Sequence, residues 1–327
     1  MDIRDKYDRV IDYMRISVTD RCNLRCIYCM PFEGIRPIGY KSLLGYEEIT
    51  RVVTIAAGLG VRKVRITGGE PLVRRNLPFL VESISAVEGI EDISLTTNGQ
   101  ALKRHARALA DAGLKRVNVS LDSLYPERYR EITRGGDIDE VFKGIFEAER
   151  AGLEPIKINM IPLRGINDDE VEDFGRLTVN TSLHVRFIEF MPTGSRDLWS
   201  WDRCVSTEEI KGRVSKIGPL LPVKIRKSGP ARYFRFEGAS GVIGFISPMT
   251  HHFCESCNRL RLTSEGTLRP CLFSETEIDL KAPMRRGSTD KEVERLLRLA
   301  VQSKPERHSI PSEQHVDYLK PLSKIGG

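Results

Sequence analysis

The chain has 327 residues, 40% hydrophobic and 29% charged, with 51 Lys and Arg against 45 Asp and Glu. That length and apolar content sustain one large α/β barrel or two smaller domains, and the net charge of +6 suits an anionic small ligand. There is no lysine-rich tail, no basic run with interleaved aromatics, no apolar leader and no membrane-length apolar window, which argues against a nucleic-acid protein and a membrane protein and favours a cytoplasmic one.

From Tyr13 to about Ser215, short β-branched runs alternate with longer helical stretches. Strands are expected at Met14–Val18, Lys63–Thr67, Asp92–Thr97, Arg116–Leu121, Pro155–Ile161 and Val185–Phe190. Helices are expected at Tyr46–Leu59, Leu77–Val87, Leu102–Ala112, Ile138–Ala151 and Asp168–Leu177. Gly60, Gly113 and Gly152 follow the last apolar positions of three of them, where a helix commonly ends on glycine. This βα repetition predicts a parallel sheet with helices outside it. About six units is short of a closed eightfold barrel, so residues 1–215 are expected to form a partial TIM-like (βα) barrel of the α/β class. Beyond Ser215, Leu221–Lys227, Ala231–Glu237 and Gly241–Ser247 read as short strands and Asp290–Gln302 as a last helix. Residues 216–327 are therefore expected to form a smaller, mostly antiparallel region with a tail ending in Gly326-Gly327.

Six of the seven cysteines fall into two trios. Cys22, Cys26 and Cys29 follow the first strand with C-x3-C-x2-C spacing, and Cys254, Cys257 and Cys271 follow the last with C-x2-C-x13-C spacing. In a reducing compartment such spacings read as metal sites rather than disulfides. Each trio is one ligand short of a closed site, which suits a [4Fe–4S] cluster with one iron open to a small molecule. A zinc knuckle remains an alternative for the first trio. A zinc ribbon completed by His251 or His252 is the alternative for the second. Arg259-x-Arg261 sets two guanidiniums on one side of a strand beside the second trio, a grip suited to phosphate oxygens. Arg15, Lys63, Arg65, Lys157 and Arg186 all lie in expected strands, where an unpaired cation is costly. Either they pair with carboxylates such as Glu189, or one polyanion serves them together. Cys204 reads as a partly buried free thiol.

The first trio, with Tyr28 before its third cysteine, resembles the radical S-adenosylmethionine (SAM) superfamily. Its second mark, Gly68-Gly69-Glu70-Pro71, directly follows Val64-Arg65-Ile66-Thr67, and paired glycines would let backbone groups approach the SAM amine. Further stretches narrow the likeness to the family of this superfamily that opens molybdenum cofactor biosynthesis: Met14–Cys22, Cys29–Gly34, Leu95–Gly99, Asn118–Ser123, Gly165–Asp168, Arg186–Met191 and the terminal Gly-Gly. Met14 replaces the family's leucine, apolar for apolar.

The resemblance implies that Cys22, Cys26 and Cys29 hold a SAM-cleaving [4Fe–4S] cluster. It implies that Cys254, Cys257 and Cys271 hold a second one that binds guanine. SAM contacts would come from Tyr28, Gly69, Ser120 and Met191. GTP contacts would come from Arg15, Lys63, Arg65, Thr96, Lys157, Arg186, Arg259 and Arg261. It implies conversion of GTP to 3′,8-cyclo-7,8-dihydro-GTP: a 5′-deoxyadenosyl radical takes hydrogen from ribose C3′, and the carbon radical attacks guanine C8. Arg259, Arg261, Gly326 and Gly327 would assist the chemistry. Partners would be a one-electron reductant and a downstream cyclic pyranopterin synthase, with no nucleic acid; a homodimer is compatible. The competing readings are a radical SAM enzyme acting on a peptide or RNA, and a zinc-stapled nucleotide-binding protein.

Overall fold

The computed structural model describes residues 2–193, 198–225, 229–308 and 322. Strands and helices alternate from the start: β1 (Tyr13–Ser17), α1 (Tyr46–Gly58), β2 (Lys63–Thr67), α2 (Leu77–Ser85), β3 (Asp92–Thr97), α3 (Leu102–Asp111) and β4 (Arg116–Ser120). Then come α4 (Pro126–Thr133), α5 (Ile138–Arg150), β5 (Lys157–Met160), α6 (Val171–Asn180), β6 (His184–Ile188) and α7 (Thr207–Val214). The C-terminal part adds β7 (Leu220–Val223), β8 (Arg232–Phe236), β9 (Val242–Ile246), β10 (Arg259–Leu262), β11 (Thr267–Arg269) and β12 (Ile278–Asp279), then α8 (Lys281–Arg285) and α9 (Asp290–Gln302).

All these strands join one sheet in the order β12-β11-β10-β1-β2-β3-β4-β5-β6-β9-β8-β7. From β10 through β1–β6 to β9 every neighbouring pair is parallel. The antiparallel pairs are confined to the two flanks. The expected partial barrel is present, and the C-terminal strands continue it at both edges rather than forming a layer of their own. The parallel pairing of β10 with β1 sets Arg259 opposite Tyr13 and Arg261 opposite Arg15. It therefore carries the second cysteine trio to the end of the sheet where the strands begin.

Alternation along the strands decides what each face does. Met14 and Ile16, Val64 and Ile66, Ile93 and Leu95, Val117 and Val119 are buried in the main core with Ile49, Val52, Leu80 and Leu109 of the helices. Each such side chain contributes about 1.5–3 kcal/mol of burial. The alternate positions face inward and are polar, reversing the usual apolar filling of such barrels. Register aligns them into tiers: Tyr13, Lys63 and Asp92 form one; Arg261, Arg15, Arg65, Ser94 and Arg116 another.

Three helices are absent from the periodic reading, among them the five-residue α8 (Lys281–Arg285), which is too short to show a period; the other two are α4 and α7. α4 opens on Pro126 and buries Tyr129, Ile132 and Thr133; α7 buries Thr207, Ile210 and Val214, with Ser206 capping it through the Glu209 N–H. Both are short and mostly polar, so their apolar stripe is too sparse to stand out. The expected Asp168–Leu177 helix opens with a 3₁₀ turn at Asp168–Glu170 before α6 begins. Among the described residues no helix is long and apolar enough to cross a membrane.

Candidate active site

A cavity of about 300 Å³ runs through the barrel and is lined by all six cysteines of the two trios. Tyr28, Gly69, Ser120 and Met191 line it, as do Arg15, Lys63, Arg65, Thr96, Lys157, Arg186, Arg259 and Arg261. Leu322 of the C-terminal tail also lines it. Gly326 and Gly327 lie outside the described residues. One chamber thus joins segments from opposite ends of the chain.

The first trio sits at the end of the barrel where the strands finish. Its loop docks on α4, with the Arg25 and Ile27 N–H groups donating to the Thr133 and Ile132 carbonyls (3.1 and 2.9 Å). Gly68-Gly69 explains the loop's position. A Cβ at Gly69 would meet the Arg21 carbonyl at 2.3 Å, and one at Gly68 the Thr19 carbonyl at 2.5 Å. Gly69 N–H donates to Thr19 O and Glu70 N–H to Arg21 O. The glycines therefore admit the backbone of the cysteine loop itself, a reason different from the ligand approach expected above. Glu70 is buried and staples the next loop, accepting from Leu72 N, Thr97 Oγ1 and Asn98 N; burial pushes its carboxyl up to about 7.

Tyr28 Oη donates to Asp122 Oδ2 (2.6 Å), and Asp122 Oδ1 accepts from Ile161 N–H (2.9 Å). Burial raises Asp122 to about 6. Burial also pushes the Cys22 thiol up to about 11 and Cys26 well above its usual value, the latter with help from Cys29, Asp122 and Cys22. The surroundings are apolar and aromatic: Tyr28, Ile132, Leu163 and Phe190 form a cluster against which Trp199 and Cys204 pack. Cys204 is a half-buried free thiol raised to about 11 by burial, as its isolation in the sequence suggested.

The second trio sits among cations. Arg259 lies over the Phe253 ring at 4.9 Å. Burial would raise the Cys257 thiol, yet Arg259 and Lys304 draw it down to about 6. Arg9 Nη1 donates to the Cys254 carbonyl (2.8 Å) while its Nε is paired with Asp5 (2.6 Å). Neither Arg9 nor Lys304 had a sequence signal, because each reaches the trio only through long-range folding.

Between the trios the wall is cationic. Arg186 is 4% exposed and donates to Asn118 Oδ1 (2.8 Å) and Asn159 Oδ1 (2.5 Å). Gly244 leaves it room: a Cβ there would come within 3.1 Å of the Arg186 side chain and 2.9 Å of the Tyr233 ring. Arg65 donates to Ser94 Oγ (3.1 Å). Lys157 rests 5.9 Å from the Tyr233 ring, and burial followed by the charges of Arg186, Arg116 and Arg65 lowers its amine to about 6. Lys63 differs, since it is ion-paired with Asp12 at 2.8 Å. Arg116, a further lining residue, is held by a bidentate pair with Asp92. Glu189 pairs with none of these cations; it anchors loops by accepting from Thr207, Met249 and Thr250 N–H groups. Arg116, Asn118 and Asn159 were legible in principle, since they lie in the same expected strands as the cations.

The donor sets suit iron–sulfur clusters. None of the six cysteines is in a disulfide, and the members of a trio feel one another's charge. Among the described residues no three His, Cys, Asp or Glu side chains close on a single ion; a four-iron cube, which takes one thiolate per iron, requires no such convergence.

Comparison with known proteins agrees with the chamber. The Radical SAM superfamily profile matches residues 16–178 and the Molybdenum Cofactor Synthesis C profile residues 183–310. The chain is 51% identical over 327 residues to a GTP 3′,8-cyclase of Thermodesulfovibrio yellowstonii, covering 99% of this chain and 100% of the relative. It is 53% identical to a GTP 3′,8-cyclase of Pelotomaculum thermopropionicum over the same shares. Among solved structures, Streptococcus suis SuiB bound to its precursor peptide SuiA superposes with a TM-score of 0.59 at 17% identity, over 92% of this chain and 67% of SuiB, a likeness of fold.

Proposed function

The chain belongs to the GTP 3′,8-cyclase family of radical SAM enzymes, and we propose that its chamber converts GTP to 3′,8-cyclo-7,8-dihydro-GTP, the first step of molybdenum cofactor biosynthesis. The observation that carries this reading is one cavity with a cysteine trio at each end and a cationic wall between them.

Cys22, Cys26 and Cys29 would hold the first [4Fe–4S] cluster, and Tyr28, Gly69, Ser120 and Met191 would bind SAM beside it. Cys254, Cys257 and Cys271 would hold the second cluster near the purine. When bound, the first cluster and SAM supply one-electron chemistry able to remove a hydrogen atom from ribose C3′. The chain's own residues orient the nucleotide. Arg15, Arg65, Lys157, Arg186, Arg259 and Arg261, with Lys63 and Thr96, would share the triphosphate, whose negative charge relieves their crowding. Asn118 and Asn159 fix the Arg186 guanidinium before ligand arrives, so little order is lost on binding. Outside, the packed helices keep bulk water from the sheet side of the chamber. Residues 1–215 would carry the SAM half and 216–327 the auxiliary half. The Gly326-Gly327 tail would support the site, a reading favoured by Leu322 on the cavity wall. A cytoplasmic enzyme of this kind draws on a one-electron reductant, hands its product to a cyclic pyranopterin synthase, and is compatible with a homodimer.

The test is anaerobic incubation of the iron-loaded protein with SAM, dithionite and GTP. Formation of 5′-deoxyadenosine together with a cyclised nucleotide is expected. Recovery of all the GTP unchanged, with a candidate peptide modified instead, would overturn the reading.

A further inference from the structure

Two residues beyond α9, Lys304 is 2% exposed. Its Nζ donates to the carbonyl oxygens of Arg259 (2.7 Å) and Pro270 (2.8 Å) and lies 3.8 Å from Cys257 Sγ. A buried ammonium is costly unless hydrogen-bonded and matched by an anion. The group within its reach that can carry a matching negative charge is the Cys257 sulfur. Among the described residues no carboxylate forms an ion pair with it. Neutral thiols would leave that charge uncompensated, whereas thiolates carrying iron would not.

The contacts also tie the trio together. Arg259 follows Cys257 by two residues and Pro270 directly precedes Cys271, so one ammonium clamps both ligand-bearing segments. Arg9 repeats the device for the third: it holds the Cys254 carbonyl and the carbonyls of Pro305 and Glu306 (2.7 and 2.9 Å). The chain leaving α9 is thereby stitched to all three cysteine segments. α9 itself is firmly seated, with a Thr289–Glu292 capping box and Val293, Leu297, Ala300 and Val301 in the core.

We propose that Lys304 is a positioning residue for the second iron–sulfur cluster and that its ammonium, directed at the Cys257 sulfur, raises that cluster's reduction potential. The inference rests on the reading that the second trio holds a cluster. A fixed positive charge and an N–H donor beside a ligating sulfur favour the state with one more electron. Removing the charge therefore moves the potential to more negative values.

The experiment uses the full chain with Cys22→Ala, Cys26→Ala and Cys29→Ala, so that only the second cluster remains, reconstituted anaerobically and titrated with dithionite under electron paramagnetic resonance. Iron in the Lys304 parent, about four per chain, tests the cluster reading itself; no iron there sinks that reading separately. With iron bound, Lys304→Met is expected to shift the midpoint negative, and Lys304→Arg to return it towards the parent value. A Lys304→Met protein with full iron and an unchanged midpoint overturns the proposal. If Lys304→Met loses iron, Lys304→Arg is expected to restore both iron and midpoint. Loss in both variants reduces Lys304 to a brace and overturns the electrostatic claim.

Discussion

The two cysteine trios occupy opposite ends of one chamber and sit in opposite electrostatic settings. At the first, burial pushes the thiols up, Cys22 to about 11 with the Glu70 carboxyl adding to it, and Cys26 with Cys29 and then Asp122 adding to it. At the second, Arg259 and Lys304 hold Cys257 at about 6 despite its burial. The same three donors thus have unlike neighbours. An apolar, acidic surround disfavours gaining an electron, and a cationic one favours it. With a cluster in each trio, as proposed above, the contrast between Cys26 and Cys257 predicts a more reducing first site and a milder second one.

The largest effects should come from breaking one end at a time. Cys26→Ala is expected to abolish formation of 5′-deoxyadenosine and of cyclised nucleotide together. Cys271→Ala is expected to abolish cyclisation while reductive cleavage of SAM persists. Chromatography of both products checks this, and cyclisation surviving in Cys271→Ala would contradict the division of labour. Next in size, deleting Gly326 and Gly327 should leave the iron content unchanged and remove turnover, with full activity in the truncated protein ending that idea.

The wall between the trios should respond more gently. Arg65→Ala removes one cation and its bond to Ser94, and should weaken GTP binding about 10- to 100-fold while SAM binding is unchanged, as calorimetry would report. The smallest effect concerns protons. Lys157 has a folded value near 6, far below its ordinary value. The unfolded chain therefore binds the extra proton between those values, and this group adds stability as pH rises from about 6. A bound triphosphate should reverse the shift, so GTP binding near pH 8 should take up at most one proton. Calorimetry in buffers of different ionisation enthalpy measures that uptake, and Lys157→Met should remove it.

Much of this comparison was legible in the chain. β2 and β3 match their expected bounds, because β-branched and apolar residues alternating with polar ones mark a strand with two different faces. α9 also matches, since Thr289 and Glu292 announce its start. The unusual set of strand cations points to a polyanion on residue type and placement alone. What stayed hidden depends on pairing across long separations. Nothing local tells that β10 lies beside β1 or β9 beside β6, and those pairings place the second trio at the far end of the chamber. Lys304 and Arg9 were hidden for the same reason. The carboxylates were misjudged differently: Glu189 resembles a counter-ion in sequence but spends its oxygens on backbone N–H groups.

The central claim is that one cationic chamber brings the nucleotide to the second trio. It is tested most directly by electron paramagnetic resonance of the second cluster in the reduced, iron-loaded protein, with and without GTP. A changed signal on adding GTP is the expected result. An unchanged signal, under conditions where calorimetry shows GTP bound, would place the nucleotide elsewhere and contradict the account.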